Sequence, residues 1–291
     1  MTMDQHDHFK GSRLNTTAKL IILEDYLTPY VNIMKTYWDA FWYVDTHSGT
    51  GKTELSDGVI VDGSALIALS NHADDFERFY FYEVDDDSFT TLHRTIEDEL
   101  GYRFEVSEAK PSGADFQVAR CNDPYIKIMN TDSNQAVRFL AHESNDYPHW
   151  FTFVDPRGFG PTWDTLDTLI DRGNMDLLVN LQTTGIVRNT GEGADHSHGS
   201  VSSQLDTENW AYGLSEEEVV ERYTERMAQN NEWNVISKDL RDPTADQWRF
   251  DLVFASDNDT ARDIMDDIMN KNGLWEEAEE RAGQSGLSGW T

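Results

Sequence analysis

The chain has 291 residues, 38% of them hydrophobic and nine of them Trp. That is apolar material enough for one large packed domain, and it excludes global disorder. Asp and Glu number 54 against 23 Lys and Arg, a net charge of −31 that argues against tight nonspecific phosphate binding, and the lone Cys121 excludes an internal disulfide or a cysteine-based metal site.

Residues 1–14 are polar and read as a mobile arm, without the apolar run of a leader or a membrane span, so a cytoplasmic location is expected. His6 and His8 in that arm read as solvated side chains. Leu20, Leu23, Leu27, Val31, Met34 and Trp38 recur at three- and four-residue spacing and predict a helix over 16–38, kinked or split at Pro29. The apolar strand Ala40–Val44 follows. It leads into Asp45-Thr46-His47-Ser48-Gly49-Thr50-Gly51, an acid at a strand end followed by two glycines one residue apart. A first strand hands over to a nucleotide-binding turn in this way.

Two Asp-Gly pairs at 57–58 and 62–63 mark a loop or small hairpin, and a helix is expected over 64–71. Phe79–Tyr82 reads as a buried strand ending at Glu83, with a helix over 86–100. Phe116–Cys121 reads as a third strand ending at Asn122-Asp123, with a helix over 133–141. His149–Val154 is a fourth strand, ending at Asp155-Pro156, with a helix over 163–172. Asp176–Leu181 is a fifth. Residues 185–204 form a Gly/Ser/His-rich loop, and Asp195–His198 within it reads as solvated rather than metal-binding. Ser215 and Glu218 form a capping-box pattern for a helix to 231. Strands at 233–238 and 249–255 and a helix over 258–271 close the domain.

Strands alternating with helices imply an α/β fold with a mostly parallel sheet and helices on both faces. We expect one domain over 15–275, with an inserted helical region about 185–232 and a mobile tail over 276–291. The scattered acids read as a salt-adapted surface of the kind carried by halophilic archaea. At molar salt the Debye length is about 3 Å, and their mutual repulsion is screened.

The glycine turn has two readings. Gly51-Lys52-Thr53 matches the end of a phosphate-binding loop, with Asp155 as a magnesium ligand. However, Thr46 stands where that loop needs glycine, and the following residues break into Asp-Gly pairs instead of a helix. The other reading is an S-adenosylmethionine site. In it Asp45, Gly49 and Gly51 hold the amino-acid end of the cofactor, Glu83 accepts from the ribose hydroxyls, Asp123 reaches the adenine, and Asp155-Pro156 faces the methyl group. Strand-end acids are also ordinary caps in so acidic a chain, but four at successive strand ends are a demanding coincidence.

Lys19 with Tyr26-Leu27, Tyr43-Val44-Asp45 with Gly49 and Gly51, Gly63-Ser64, Glu83, Phe153–Gly158, Trp163, Asn180, Arg188 and Leu252–Ser256 together resemble the three-Cys-motif partner family (TcmP). The resemblance covers residues 16–270. It implies a Rossmann-type methyltransferase fold and a partner protein with a three-cysteine motif, itself similar to radical-SAM proteins. Thr46-His47-Ser48 departs from the apolar segment expected there. His47 is a candidate general base or a polar variant. Asp155-Pro156-Arg157-Gly158 resembles the Asp-Pro-Pro-aromatic signature of amino-methyltransferases, which implies a nitrogen acceptor, on nucleic acid or protein. No metal is expected. A non-catalytic interaction module and a nucleotide hydrolase are the alternatives.

Overall fold

The structure is a computed structural model that describes residues 5–55, 58–109, 116–144, 148–156, 161–190, 213–229, 233–241 and 249–284. The chain starts with helix α1 (Gln5–Tyr37) and strand β1 (Phe41–Asp45). A small hairpin of β2 (Lys52–Glu54) and β3 (Ile60–Asp62) comes next. Then follow α2 (Ser64–His72), β4 (Arg78–Glu83), α3 (Asp86–Leu100), β5 (Glu105–Ala109), β6 (Phe116–Asn122), β7 (Tyr125–Asn130) and α4 (Ser133–Glu143). The second half has β8 (His149–Val154), α5 (Trp163–Arg172), β9 (Met175–Leu181), α6 (Thr183–Thr190), α7 (Glu216–Gln229), β10 (Asn234–Asp239), β11 (Asp251–Ser256), α8 (Asp259–Met269) and α9 (Leu274–Gln284).

One nine-stranded sheet runs in the order β10-β11-β9-β8-β1-β4-β7-β6-β5. The five central strands are parallel, and β11, β10, β6 and β5 enter by antiparallel pairing. From β1 the chain builds outward through β4 and β7, then returns to place β8 on the other side of β1. The topological switch point therefore lies between β1 and β8. Open α/β sheets bind ligands there, outside the carboxyl ends of the strands.

The strand pleat sorts the core. Phe41 and Tyr43 pack on one face with Phe79, Phe81, Phe151 and the apolar side of α1. Trp42 and Val44 pack on the other with Tyr80, Tyr82, Trp150 and Trp163. Successive side chains of a strand point to opposite faces, and both faces here are covered by helices, so these strands are mainly apolar.

Three expectations need correction. The third parallel strand is β7, not 116–121, which is its antiparallel neighbour β6. The helix α1 starts at Gln5, inside the expected arm, and continues through Pro29. The expected tail over 276–291 is helical as far as 284, as part of α9: Leu274, Ala278 and Ala282 are buried, and Arg281 pairs with Glu24 on α1. Of the expected insertion, 185–190 belong to α6 and 216–229 to α7. Residues 191–212, with Asp195–His198, lie outside the described residues. The capping box is formed: Glu218 N–H donates to Ser215 Oγ (3.3 Å), and Ser215 N–H donates to Glu218 Oε2 (2.8 Å). No helix among the described residues is long and apolar enough to cross a membrane.

Candidate functional site

The glycine turn leaves the carboxyl end of β1. Gly49 and Gly51 have φ of 59° and 82°, a left-handed backbone that favours glycine. Gly63 N–H donates to Gly51 O (2.8 Å), and a Cβ on Gly63 would lie 2.9 Å from that oxygen. The hairpin can thus close on the turn only through a residue without a side chain.

Asp45 is fully buried behind the turn. Its Oδ2 accepts from Ser64 Oγ at the start of α2 (2.5 Å), and its Oδ1 accepts from His47 N–H (3.1 Å). Burial pushes its carboxyl up to about 7, with the bonds from Ser64 and His47 pulling the other way. Glu83, at the carboxyl end of β4, flanks the turn. Its Oε2 accepts from Gly49 N–H (2.9 Å) and its Oε1 from Asp85 N–H (2.9 Å). Each carboxylate oxygen can accept a second hydrogen bond.

His47 links the turn to α4. Its Nδ1 meets Thr46 Oγ1 (2.7 Å) and its Nε2 meets Ser133 Oγ (3.2 Å). Burial drives the ring down to about 4, against the charges of Asp155 and Asp132, so it is neutral near pH 7. With a hydroxyl on each nitrogen, the ring serves as a tie between two elements, and the geometry gives no support to a free base.

Asp155 and Pro156 follow β8 across the switch point. Lys19 Nζ forms an ion pair with Asp155 Oδ2. Asn180 Nδ2, from β9, donates to Asp155 Oδ1 (2.7 Å), and Gln182 Nε2 donates to Pro156 O (2.6 Å). A cavity of about 640 Å³ is lined by His47–Glu54, Ser64, Lys19, Asp155, Pro156, Asn180 and Gln182. That is within the range of small-molecule sites.

The cavity therefore unites His47, Gly49, Gly51, Asp155 and Pro156. Asp45 buckles the turn from behind and Glu83 holds its flank; neither lines the cavity. Asp123 is displaced from the site. It sits in the β6–β7 turn, next to the Asn122–Tyr125 pair, while Asn130 at the far end of β7 pairs with Glu83. Six residues of strand, about 20 Å, separate the two ends. The position expected of Asp123 is taken by Asn130 and Asp132. The alternation in Tyr125–Asn130, followed by Asp132 capping α4, is the signal that would have found them. Gln182 carried no motif and is visible only in three dimensions.

The phosphate-loop reading fails on geometry. Gly51 leads into strand β2 rather than a helix, and Lys52 Nζ is taken by Glu99 (2.9 Å) and Asp62 (3.6 Å). Arg157 and Gly158 lie outside the described residues. Among the described residues, no group of three or more His, Cys, Asp or Glu is placed to hold a metal ion.

No family model matches the chain, and no curated protein matches it. Solved structures do. Protein LPL1258 from Legionella pneumophila, of the DUF519 family, is 10% identical, with a TM-score of 0.53 over 88% of this chain and 92% of that one. Trm1 from Pyrococcus horikoshii, in complex with S-adenosyl-L-methionine, is 14% identical, with a TM-score of 0.45 over 86% of this chain and 57% of the longer one. The magnesium protoporphyrin IX methyltransferase ChlM from Synechocystis, with bound S-adenosylmethionine, is 9% identical, with a TM-score of 0.41 over 88% and 86%. The first of these shares the fold; the other two are more distant likenesses.

Proposed function

We propose that the chain binds S-adenosylmethionine over the Asp45–Gly51 turn and transfers its methyl group to a nitrogen presented at Asp155-Pro156. The observation that carries this reading is the shared cavity: the glycine turn after β1 and Asp155-Pro156 after β8 line one space at the switch point. The residues present suit the cofactor. The turn is side-chain-free at Gly49 and Gly51, so a ligand can approach the backbone closely. Glu83 keeps an accepting position on each oxygen beside the turn, matching a pair of hydroxyls. At the β7 end, Asn130 and Asp132 replace Asp123 as the groups proposed to face the adenine.

When bound, the cofactor supplies an electrophilic methyl group on a sulfonium. The chain does the rest by positioning. The Asp155 carboxylate and the Pro156 carbonyl accept the N–H hydrogens of an incoming amine, which orients its lone pair and restricts its motion. In this reading Asp155 also takes up the proton released from that nitrogen. His47 holds the turn against α4, and Asp45 holds it against α2.

The partner in this reading is the three-cysteine-motif protein implied by the resemblance of Lys19, Asp45, Gly49, Gly51, Glu83, Asp155 and Asn180 to the three-Cys-motif partner family. The acceptor is a nitrogen on nucleic acid or on protein, and a base buried in a duplex would first have to be flipped out. We read the acidic surface as salt adaptation of the haloarchaeal kind. The reading is tested by incubating the protein with radiolabelled S-adenosylmethionine and separate RNA, DNA and protein fractions in molar KCl, with and without the three-cysteine partner. Label in one fraction that is lost with Asp155→Asn is expected. Cofactor binding with no transfer to any fraction would instead support an interaction module that keeps the fold without catalysis.

A further inference from the structure

The face presented by Asp155 and its neighbours is made of hydrogen-bond acceptors. Asp155 Oδ1 and Pro156 O are held by the amides of Asn180 and Gln182, which come from the end of β9 and the residue after it. Asp155 Oδ2 is held by the Lys19 ammonium, which reaches over from α1. Asn180 Oδ1, also buried on this face, has no hydrogen-bond partner among the described residues. Its orientation is set by its own amide, since turning it over would point that oxygen at the carboxylate. Carboxylate, carbonyl and amide oxygens around one point are complementary to a group rich in N–H.

Of the three resident donors, Lys19 differs in kind. Asn180 and Gln182 are neutral amides, from the end of β9 and the residue after it. Lys19 is on a long flexible stem, and its side chain is 9% exposed and lines the cavity. The Asp155 side chain is 23% exposed, and a carboxylate so partly buried is more costly to leave without a counter-charge than with one, so Lys19 yields most readily when another donor takes its place. We propose that the Lys19 ammonium is a resident stand-in for the acceptor's amine, occupying Asp155 in the free protein and yielding that position to an incoming amine. Lys19 thereby sets the site's selectivity: a ligand that brings an amine to Asp155 competes with Lys19, and one that does not leaves the pair intact.

This inference rests on the proposed cofactor site, and the test separates the two. Sinefungin carries an amine at the position of the transferable methyl group; S-adenosylhomocysteine carries nothing there. Both are titrated calorimetrically into the full-length protein in molar KCl, into Lys19→Met and Lys19→Gln, which remove the resident charge, and into Lys19→Arg, which keeps it. Two neutral variants are used so that a folding failure of one leaves the other to report. S-adenosylhomocysteine binding tests the cofactor reading, and the ratio of the two affinities tests the role of Lys19. The preference for sinefungin is expected to rise about tenfold in the neutral variants, the scale of one hydrogen bond to a charged group. It should stay near the wild-type value in Lys19→Arg and disappear in Asp155→Asn. An unchanged ratio in the neutral variants, or an equal change for both ligands, would overturn the stand-in role while leaving the cofactor site in place. Absence of S-adenosylhomocysteine binding to the wild type would overturn the site reading and the stand-in with it.

Discussion

At the scale of single residues, the site separates groups that hold the turn from groups that face the cavity. Gly63 belongs to the first kind. In Gly63→Ala the new methyl would stand 2.9 Å from Gly51 O, so backbone must shift. Strain of this sort costs about 1–3 kcal/mol. We expect a lower melting temperature together with weakened cofactor binding, both read from a thermal-shift titration. Asp155 belongs to the second kind. Asp155→Asn keeps the size of the side chain and loses the charge, so cofactor affinity should change little while transfer falls about 100-fold or more; single-turnover rates at saturating cofactor check the split. Asp45 gives a pH prediction. Its folded value of about 7 lies above the ordinary 3.8, so the folded chain holds a proton that the unfolded chain has released. The stability from this group is complete below the lower value and is lost as pH rises through the upper one. Melting temperatures from about pH 5 to about pH 8 should therefore fall in the wild type and fall less steeply in Asp45→Asn. Some slope should remain in that variant, because buried Asp176, raised to about 6, acts in the same direction.

At the scale of elements, what was legible in the sequence followed from local chemistry. The strands β1, β4, β8 and β9 are mostly apolar on both faces and end at or just before an acid or a polar residue, so their places are legible to within a residue or two. The α7 capping box could be read because its two hydrogen bonds lie within one turn. The third parallel strand was not legible. Phe116–Asn122 and Tyr125–Asn130 both mix apolar with polar residues, and only the long-range pairing with β4 decides which one is the parallel strand. The residues that follow the third parallel strand are therefore Asn130 and Asp132 rather than Asp123. α9 was missed for a related reason. Its sequence is mostly charged, and its small buried stripe, Leu274, Ala278 and Ala282, acquires meaning only against α1. Deleting residues 274–291 should uncover that side of α1. Burying one Leu and the two Ala is worth about 2 kcal/mol, which corresponds to a fall of about 4–8 °C in melting temperature. An unchanged melting curve would mean that α9 does not dock on α1.

At the scale of the whole molecule, charge and site act together. A net charge of −31 is spread over the surface, and most of the basic side chains near the site are already paired with acids, as Lys19, Lys52 and Arg249 are. Raising KCl weakens these pairs and also screens the much larger excess of acid–acid repulsion. The Debye length falls from about 10 Å at 0.1 M to about 3 Å at 1 M, so repulsion at separations beyond contact is the term that changes most. The melting temperature should rise across that range; a flat or falling curve would contradict a salt-adapted surface. The proposed S-adenosylmethionine site is the turn after β1, flanked by Glu83. Calorimetric titration of S-adenosylmethionine into the protein in molar KCl, beside Glu83→Ala, tests it most directly. Saturable binding near one equivalent is expected, weakened at least about tenfold in the variant, the scale of losing hydrogen bonds to a charged group. Absence of binding, or binding that is indifferent to Glu83, would contradict it.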